Sequence, residues 1–470
     1  MNRLAAPVIW ILCLTMAGCM SLGPQYQRPE IGIDVPDAYK DSGRLQARAF
    51  IPPGKWWEEF DDTHLNRVVA HVIDNNPDIE KAAAKVMETR FLLRQTRAGQ
   101  LPTLNFNANA SRQEQSVVEP FSGENLTVKT DSFSLTLPAS FEIDLWGRLS
   151  RASEAARADL MAAEENRKTI VQSLIAEAVS QYFNIQSLEA RLRISRQLMQ
   201  THRESLGLVE ARYEQGLTSI LDVRQARRSL AQSEAQLPTL IQALGKARQA
   251  LAVLQGKYPA RKTIQTNRDS RFKLPAPIPE GLPSDLLNRR PDIRAVEASL
   301  EAACARVGVA KANRFPQINL TGSFGYTSDA LSALFDPENQ LWQIAAGAFQ
   351  PLLDGGKRKA AQQAAQARYE QQLAAYAKTV LDAFAAVEGA LLTRHQQLER
   401  YERLMVFLNE AEATLEIAIE RYQRGLTDYL NVLDAQMAKF QAELSLVETR
   451  NSIYTNRVGL YRALGGGWEG

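Results

Sequence analysis

The chain has 470 residues, of which 45% are hydrophobic and 23% are charged. This composition is typical of folded proteins and excludes an intrinsically disordered chain. The formal net charge of +2 gives no strong basic field of the kind that binds nucleic-acid phosphates, so we expect no nucleic-acid partner.

The N-terminus has the pattern of an export signal. A short positive start is followed by an apolar run over residues 4–15 and then by Met16-Ala17-Gly18-Cys19. This pattern predicts a signal peptide over residues 1–18 and resembles the lipobox of bacterial lipoproteins, in which Cys19 receives the lipid. Residue 20 is Met rather than Asp, which favours sorting to the outer membrane. We expect a lipid-anchored extended segment over residues 19–60 and no cofactor besides this covalent lipid.

Cysteine usage excludes an intrachain disulfide in the mature protein. Of the three cysteines, Cys13 leaves with the signal peptide and Cys19 is the expected lipid acceptor. Cys304 then has no partner for a disulfide within the chain.

An internal repeat divides the chain. Residues 212–226 align with residues 421–435 at an offset of 209, with 8 of 15 positions identical. The sequence Pro-Asp-Ile occurs at residues 77–79 and again at 291–293, an offset of 214. These matches indicate a tandem duplication. The expected domains are a first repeat (61–255), a proline-rich connector (256–284), a second repeat (285–464) and a short tail (465–470).

Long helices are predicted in both repeats. Residues 148–206 contain neither glycine nor proline, and residues 357–424 contain only Gly389. A helix over residues 148–215 would be about 100 Å long. Apolar residues recur at spacings of three and four, as at Val171, Ile175 and Ala178, which is the pattern of coiled-coil packing.

Four segments between the helices alternate apolar with polar or small residues and predict strands. They lie at residues 105–111, 133–137, 318–326 and 342–348, and the polar loops 112–130 and 327–340 join them in pairs. We expect a proline at the end of each strand nearest its helix, because proline lacks the donor that a sheet requires. These prolines are Pro102, Pro138, Pro316 and Pro351.

Four strands with one apolar face have two possible uses. The apolar face could pack in a soluble sandwich, or it could contact lipid. Strands that cross a bilayer must close into a barrel without free edges, and closure needs about eight strands or more. Several copies of the chain would then build one barrel. Three chains would supply twelve strands, enough to leave the interior open.

Several motifs in series carry a family resemblance. Besides the lipobox, they are Gly23-Pro-Gln-Tyr-Gln-Arg-Pro29, Phe141-Glu-Ile-Asp-Leu-Trp-Gly-Arg148, Arg289-Arg-Pro-Asp-Ile293 and the duplicated Arg-Tyr-x-x-Gly-Leu-Thr. From about residue 19 to 464, the chain resembles the outer-membrane efflux family of TolC-like channels, in its OprM/NodT-type lipoprotein branch. The fold class is therefore expected to be mainly α with a small β part, built from two tandem repeats.

The resemblance also implies an assembly and a role. It implies a homotrimer with a twelve-stranded β-barrel in the outer membrane of a Gram-negative bacterium and a helical barrel across the periplasm. Its partners would be a periplasmic adaptor and an inner-membrane pump, most often of the RND type. The chain would then be a passive exit duct for small molecules such as drugs, toxic compounds or metal ions.

The duplicated turns are the predicted working sites. Gly216-Leu217-Thr218 and Gly425-Leu426-Thr427 are expected at the periplasmic tip, where adaptor hairpins would dock. In the OprM/NodT-type branch that the chain resembles, the Leu and Asp that match Leu430 and Asp434 narrow the periplasmic aperture. The first repeat has Leu221 and Gln225 instead, which predicts an asymmetric constriction. The alternative is that Leu430 packs inside the helical wall and that Asp434 is simply solvated.

The sequence predicts neither a catalytic nor a metal site. The four histidines have no pairing at metal-ligand spacing, and Cys-x-x-Cys does not occur. We therefore do not expect an enzyme. Two other functions remain open: the exit duct of a type I protein-secretion system, and a structural periplasmic lipoprotein whose helices act as a spacer.

Overall fold

The computed structural model describes residues 21–29, 32, 54–118, 121, 125–259 and 286–466. The predicted signal peptide, Cys19, most of the 256–284 connector and the end of the tail lie outside the described residues. The chain forms two compact units. Within the described ranges, one comprises residues 21–29, 86–118, 121, 125–163 and 295–376, and the other comprises residues 32, 54–85, 164–259, 286–294 and 377–466. The predicted domain boundaries remain predictions.

Helices dominate the described residues and occur in matching pairs. They are α1 (Thr63–Asn75), α2 (Pro77–Ala98), α3 (Arg148–Glu214), α4 (Ile220–Leu254), α5 (Pro291–Ala312), α6 (Lys357–Gln423) and α7 (Tyr429–Ala463), with a short turn at Leu286–Arg289. The helices α3 and α6 each have 67 residues, and α4 and α7 each have 35 residues. This agreement confirms the two repeats and the long helices. In the described part of the chain, no helix combines the length and apolar character needed to cross a membrane.

The strands form one antiparallel sheet. They are β1 (Thr103–Leu104), β2 (Asn107–Val118), β3 (Asn125–Ile143), β4 (Gln317–Ser328) and β5 (Gln340–Phe349). Both β1 and β2 pair with β3 in a single register, as the partners Leu104 with Ala139 and Asn107 with Thr136 show. Since β1 and β2 continue each other, the sheet has four strand positions, as predicted. Its outer strands are β1/β2 on one side and β5 on the other.

The first hairpin differs from the sequence prediction in two ways. Most of the predicted loop at residues 112–130 is strand, because β2 continues to Val118 and β3 begins at Asn125. The ion pair of Arg112 with Asp131 links facing residues of these extended strands. The predicted bounds of this loop, residues 112–130, were therefore wrong.

Pro138 lies inside β3 rather than at its end. Its carbonyl accepts the N–H of Asn105 at 2.9 Å, but proline has no N–H to return to Asn105. The ladder is interrupted at this position, which explains why β1 and β2 are separate. Pro102, Pro316 and Pro351 do lie just outside the strand ends, as predicted.

The larger hydrophobic core belongs to the second unit. Trp56 stacks on Tyr461 with ring centroids 5.2 Å apart, and both side chains are buried. Asp62 begins α1 by accepting the backbone N–H groups of His64 and Leu65. The same carboxylate accepts the buried hydroxyl of Tyr182 at 2.8 Å. This contact attaches the N-terminal helices to α3.

Candidate functional site at the hairpin turns

The two duplicated turns have the same backbone geometry. Gly216 and Gly425 both adopt a φ of 72°, in the left-handed region that glycine favours. At the first turn, Leu217 N–H donates to the carbonyl of Arg212 at 2.9 Å, and the second turn repeats this bond from Leu426 to Arg421. These bonds form the Schellman motif that ends a helix. The duplicated sequence therefore reverses the chain in the same way twice.

The residues that follow the turns begin the next helices. Ser219 and Asp222 form a reciprocal capping box at the start of α4, and Thr218 also donates to Asp222. Thr427 accepts the side-chain amide of Asn431 at 2.7 Å. The two threonines are thus engaged within their own turns.

Apolar side chains are exposed at both turns. Leu217 and Leu426 are 60% and 62% exposed, and Leu221 and Leu430 are 61% and 55% exposed. Leu430 is therefore exposed within the single chain. Asp434 lies one helical turn beyond Leu430 and is also exposed.

Asp434 opens onto a crevice between α3, α4 and α7. The cavity has a volume of about 210 Å³. Its lining includes His202, Arg228, Ser233, Leu430, Asp434 and Met437. The predicted aperture residues therefore share a pocket with a buried histidine and an arginine that sequence reasoning did not single out.

Arg212 connects the ends of α3 and α6. Its guanidinium lies over the ring of Tyr422, 5.1 Å from the centroid, and donates to the carbonyl of Gln423 at 3.3 Å. The matching residue of the second repeat, Arg421, is exposed. The duplicated Arg-Tyr pair was visible in the sequence, but the pairing of Arg212 with Tyr422 joins residues about 210 positions apart. Only the folded chain brings them together.

A small buried cluster supports this contact. It includes Val209, Val223, Tyr422, Tyr429, Val432 and Leu433. Tyr422 and Tyr429 have ring centroids 5.4 Å apart, and burial raises the pKa of Tyr429 to about 12. The side-chain amide of Gln436 donates to Ser205 at 3.2 Å. The ends of the two hairpins are therefore packed together and do not project separately.

In the first unit, the segment that follows the predicted lipidation site is held in place. Leu22 N–H donates to the carbonyl of Trp146 at 3.1 Å, beyond the end of β3. The indole of Trp146 donates to the carbonyl of Pro316, which precedes β4. Further along, Arg28 binds Glu297 of α5, with one nitrogen–oxygen distance of 2.7 Å. Residues 21–29 thus lie against the strand ends and α5.

No group of three or more His, Cys, Asp or Glu side chains within the described ranges is arranged to hold a metal ion. Cys304 is buried and unoxidised, and its thiol donates to the carbonyl of Pro24 at 3.6 Å. Burial raises the pKa of this thiol. Cys304 therefore packs in the first unit as a small apolar side chain.

Comparison with known proteins places this geometry in a family. Residues 68–257 and 282–466 match the family described as "Outer membrane efflux protein". The cation efflux system protein CusC of Escherichia coli O6:H1 is 32% identical over 461 residues, covering 97% of this chain and 98% of CusC. The probable outer membrane lipoprotein SilC of Salmonella typhimurium is 30% identical, covering 96% of each chain. The solved structure of the outer-membrane channel OprN has a TM-score of 0.88 at 30% identity and covers 96% of this chain and all of that one.

Proposed function

This chain belongs to the outer membrane efflux protein family, and we propose that its duct carries drugs, toxic compounds or metal ions out of the cell. It is the outer-membrane exit duct of a tripartite efflux system, located in the outer membrane and extending into the periplasm. It works with a periplasmic adaptor and an inner-membrane pump. For the pump we propose the RND type.

The two faces of the sheet are the observation that best supports the function of an exit duct. Leu137, Phe324 and Trp342 are paired in series across β3, β4 and β5, and all three side chains are exposed. Side chains of directly paired residues lie on one face of a sheet. On the other face, Pro138, Ser323 and Gln343 are paired in the same way. The sheet therefore has an exposed apolar face that suits lipid and a more polar face that suits water.

One chain cannot close this sheet, because β1/β2 and β5 are free edges within it. The chain contributes its four strand positions to a trimeric β-barrel. Pairing β5 of one chain with β1/β2 of the next repeats around a threefold axis until every edge is paired. A structural spacer would leave this amphipathic sheet without a use.

We further propose that Leu430 and Asp434 form the periplasmic aperture. Both are exposed, they lie one turn apart on α7, and the turn before them is held by buried packing. In a trimer, they supply a ring of three leucines and a ring of three carboxylates. Such a carboxylate ring favours cations in the lumen.

The test is planar-bilayer conductance of the detergent-extracted trimer. Asp434→Asn keeps the side-chain shape and removes the charge, so we expect reduced cation selectivity with little change in conductance. Leu430→Ala should instead raise conductance by widening the ring. Gln225→Ala, at the matching position of the first repeat, is the control and should change neither. If Asp434→Asn and Leu430→Ala both behave as wild type, the aperture lies elsewhere.

For the adaptor, we propose the two turns, Gly216 to Thr218 and Gly425 to Thr427. Their support is the exposure of Leu217 and Leu426 on a rigid backbone that is the same in both repeats. Leu217→Asp and Leu426→Asp should each weaken adaptor binding in a pull-down with the purified adaptor. Leu392→Asp, an exposed leucine in the middle of α6, is the control. Equal loss in all three variants would argue against docking at the turns.

We also propose that Cys19 carries the lipid anchor. The support is the fixed path of the chain close behind it, where Leu22 is bonded to Trp146 at the end of the sheet. This path places Leu22 at the strand ends, where a bilayer surface is expected. Mass spectrometry of the mature protein should find an acylated Cys19 as the first residue. An unmodified Cys19 would remove the anchor and leave the duct unaffected.

A further inference from the structure

The helix α4 contains a weak point that α7 lacks. Pro238 lies inside α4, and its missing N–H leaves the carbonyl of Glu234 without its usual helical donor. The matching residue of α7, which has the same length, is Val447. Proline is a common cause of bending in helices. Among the described helices, α4 alone has a proline in its interior, at the boundary between residues 220–237 and the rest of the helix.

A buried histidine holds the segment on the turn side of Pro238. His202 of α3 is 2% exposed, and its Nδ1 lies 3.2 Å from the hydroxyl of Ser233 in α4. That hydroxyl donates its single hydrogen to the carbonyl of Leu230 at 2.8 Å. Nδ1 must therefore be the donor to Ser233, which fixes the tautomer of the neutral ring. Nε2 then carries a bare lone pair, and it is buried with no hydrogen-bond partner among the described residues.

The surroundings of His202 favour its neutral form. Burial lowers the pKa of His202, while a backbone hydrogen bond at Ser229 acts in the opposite direction and is the weaker effect. Among the residues described, the other titratable side chains that line the crevice are Arg228 of α4 and Asp434 of α7. A proton on Nε2 would create a buried donor without an acceptor. In the crevice, the positive charge of Arg228 opposes such a proton and the carboxylate of Asp434 favours it.

We propose that the His202–Ser233 hydrogen bond is an acid-sensitive latch, which holds residues 220–237 of α4 against α3 until protonation of His202 lets this segment bend at Pro238. Protonation leaves the Nδ1–H bond to Ser233 in place, but the charged ring can donate from Nε2 to water only after the segment is released. Val223, at the start of this segment, is buried in the cluster with Val209, so bending must also loosen that packing. The ion pairs Arg203–Glu234 and Arg227–Glu210 are exposed and hold the segment only weakly. Because Arg228 and Asp434 line the same crevice, bending would change the surroundings of the aperture. That consequence rests on the proposed function.

The sign of the pH effect follows from linkage. The released ring titrates near its ordinary value of about 6.5, and the latched ring titrates lower. The population of the latched state is therefore unaffected well above pH 6.5 and decreases as the pH falls through this value. Between pH 7.5 and 5.5, the ratio of released to latched segment should rise by at most about tenfold.

The test measures distances between spin labels in the intact trimer. A nitroxide on Ala231→Cys reports the segment on the turn side of Pro238, and a second trimer labelled on Gln242→Cys reports the far side. Both positions are exposed, and the native Cys304 is buried. We expect the distance distribution at residue 231 to gain a second population at pH 5.5, and the distribution at residue 242 to stay unchanged.

Variants separate the latch from general acid effects. His202→Gln cannot titrate, so it should abolish the response to pH, whereas His395→Gln, an exposed histidine on α6, should preserve it. Ser233→Ala should populate the released state at both pH values, and Pro238→Ala should reduce the displacement. The latch is wrong if His202→Gln responds like wild type or if residue 231 does not move with pH. Because conductance is measured separately, a conducting trimer without this movement refutes only the latch. A trimer that moves but does not conduct refutes only the duct.

Discussion

Arg212 should control how readily the ends of α3 and α6 separate. The change Arg212→Gln removes the guanidinium above Tyr422 and the hydrogen bond to Gln423. A cation–π contact at a partly exposed site contributes about 0.5–1 kcal/mol. A hydrogen bond of this kind contributes a further 0.5–1 kcal/mol or so. The separated state should therefore gain about 1–2 kcal/mol, which is roughly five- to thirtyfold in its population.

Single-channel recording in planar bilayers measures this effect. We expect Arg212→Gln to open more often or for longer than wild type. Its ion selectivity should stay the same, because the proposed ring of Asp434 carboxylates is untouched. Arg421→Gln is the matched control, since Arg421 occupies the same repeat position and is exposed. Arg212→Lys keeps the charge but loses the flat stacking surface, so it should behave as an intermediate.

Two results would refute this reasoning. The first is an open probability of Arg212→Gln equal to that of wild type, which would mean that the contact with Tyr422 persists in the open state. The second is an equal increase in Arg421→Gln, which would mean that the positive charge matters generally and the specific contact does not.

Three further predictions concern stability and reactivity. Gly425→Ala should destabilise the protein by about 1–2 kcal/mol, because Gly425 has a left-handed φ. Gly389→Ala, whose added methyl group would lie in open space on α6, should stabilise the protein by up to about 1 kcal/mol. Equal shifts of the two variants in calorimetry would contradict this prediction. Cys304 should resist iodoacetamide at pH 8 in the native trimer and react in urea, because burial shields the thiol and raises its pKa; rapid native alkylation would contradict the buried position. Asp62→Ala should lower the free energy of unfolding by about 2–4 kcal/mol, more than Tyr182→Phe does. The reason is that Asp62 caps α1 as well as accepting the hydrogen bond of the Tyr182 hydroxyl. Similar losses of stability in urea titrations of the two variants would argue against the cap.

The duplication explains why the two hairpins look alike and behave differently. The turns at Gly216 and Gly425 share their backbone bonds because these depend on a few neighbouring residues. Arg212 packs on Tyr422, whereas Arg421 is exposed, because these environments depend on which helices lie alongside. Pro238 has no counterpart in α7, where Val447 occupies the matching position.

Local pattern was enough to determine the elements and their order. The absence of glycine and proline over residues 148–206 predicted α3, and its repeat predicted α6, because a helix depends on bonds between residues four apart. Alternation predicted four strands, and the need to close them predicted an oligomer. The family resemblance supplied the efflux role, which physical reasoning from the residues alone did not reach.

The tertiary structure decided what depends on contacts distant in sequence. The lengths of β2 and β3 follow from their mutual register, which polar residues such as Arg112 and Asp131 also support, so apolar alternation understated them. The position of Pro138 inside β3 follows from its pairing with Asn105 and with β4. His202 had no recognisable signal in the sequence, because its partner Ser233 and the crevice around it come from other helices. Periodicity shows which face of a helix is apolar, but only packing determines which residue that face meets.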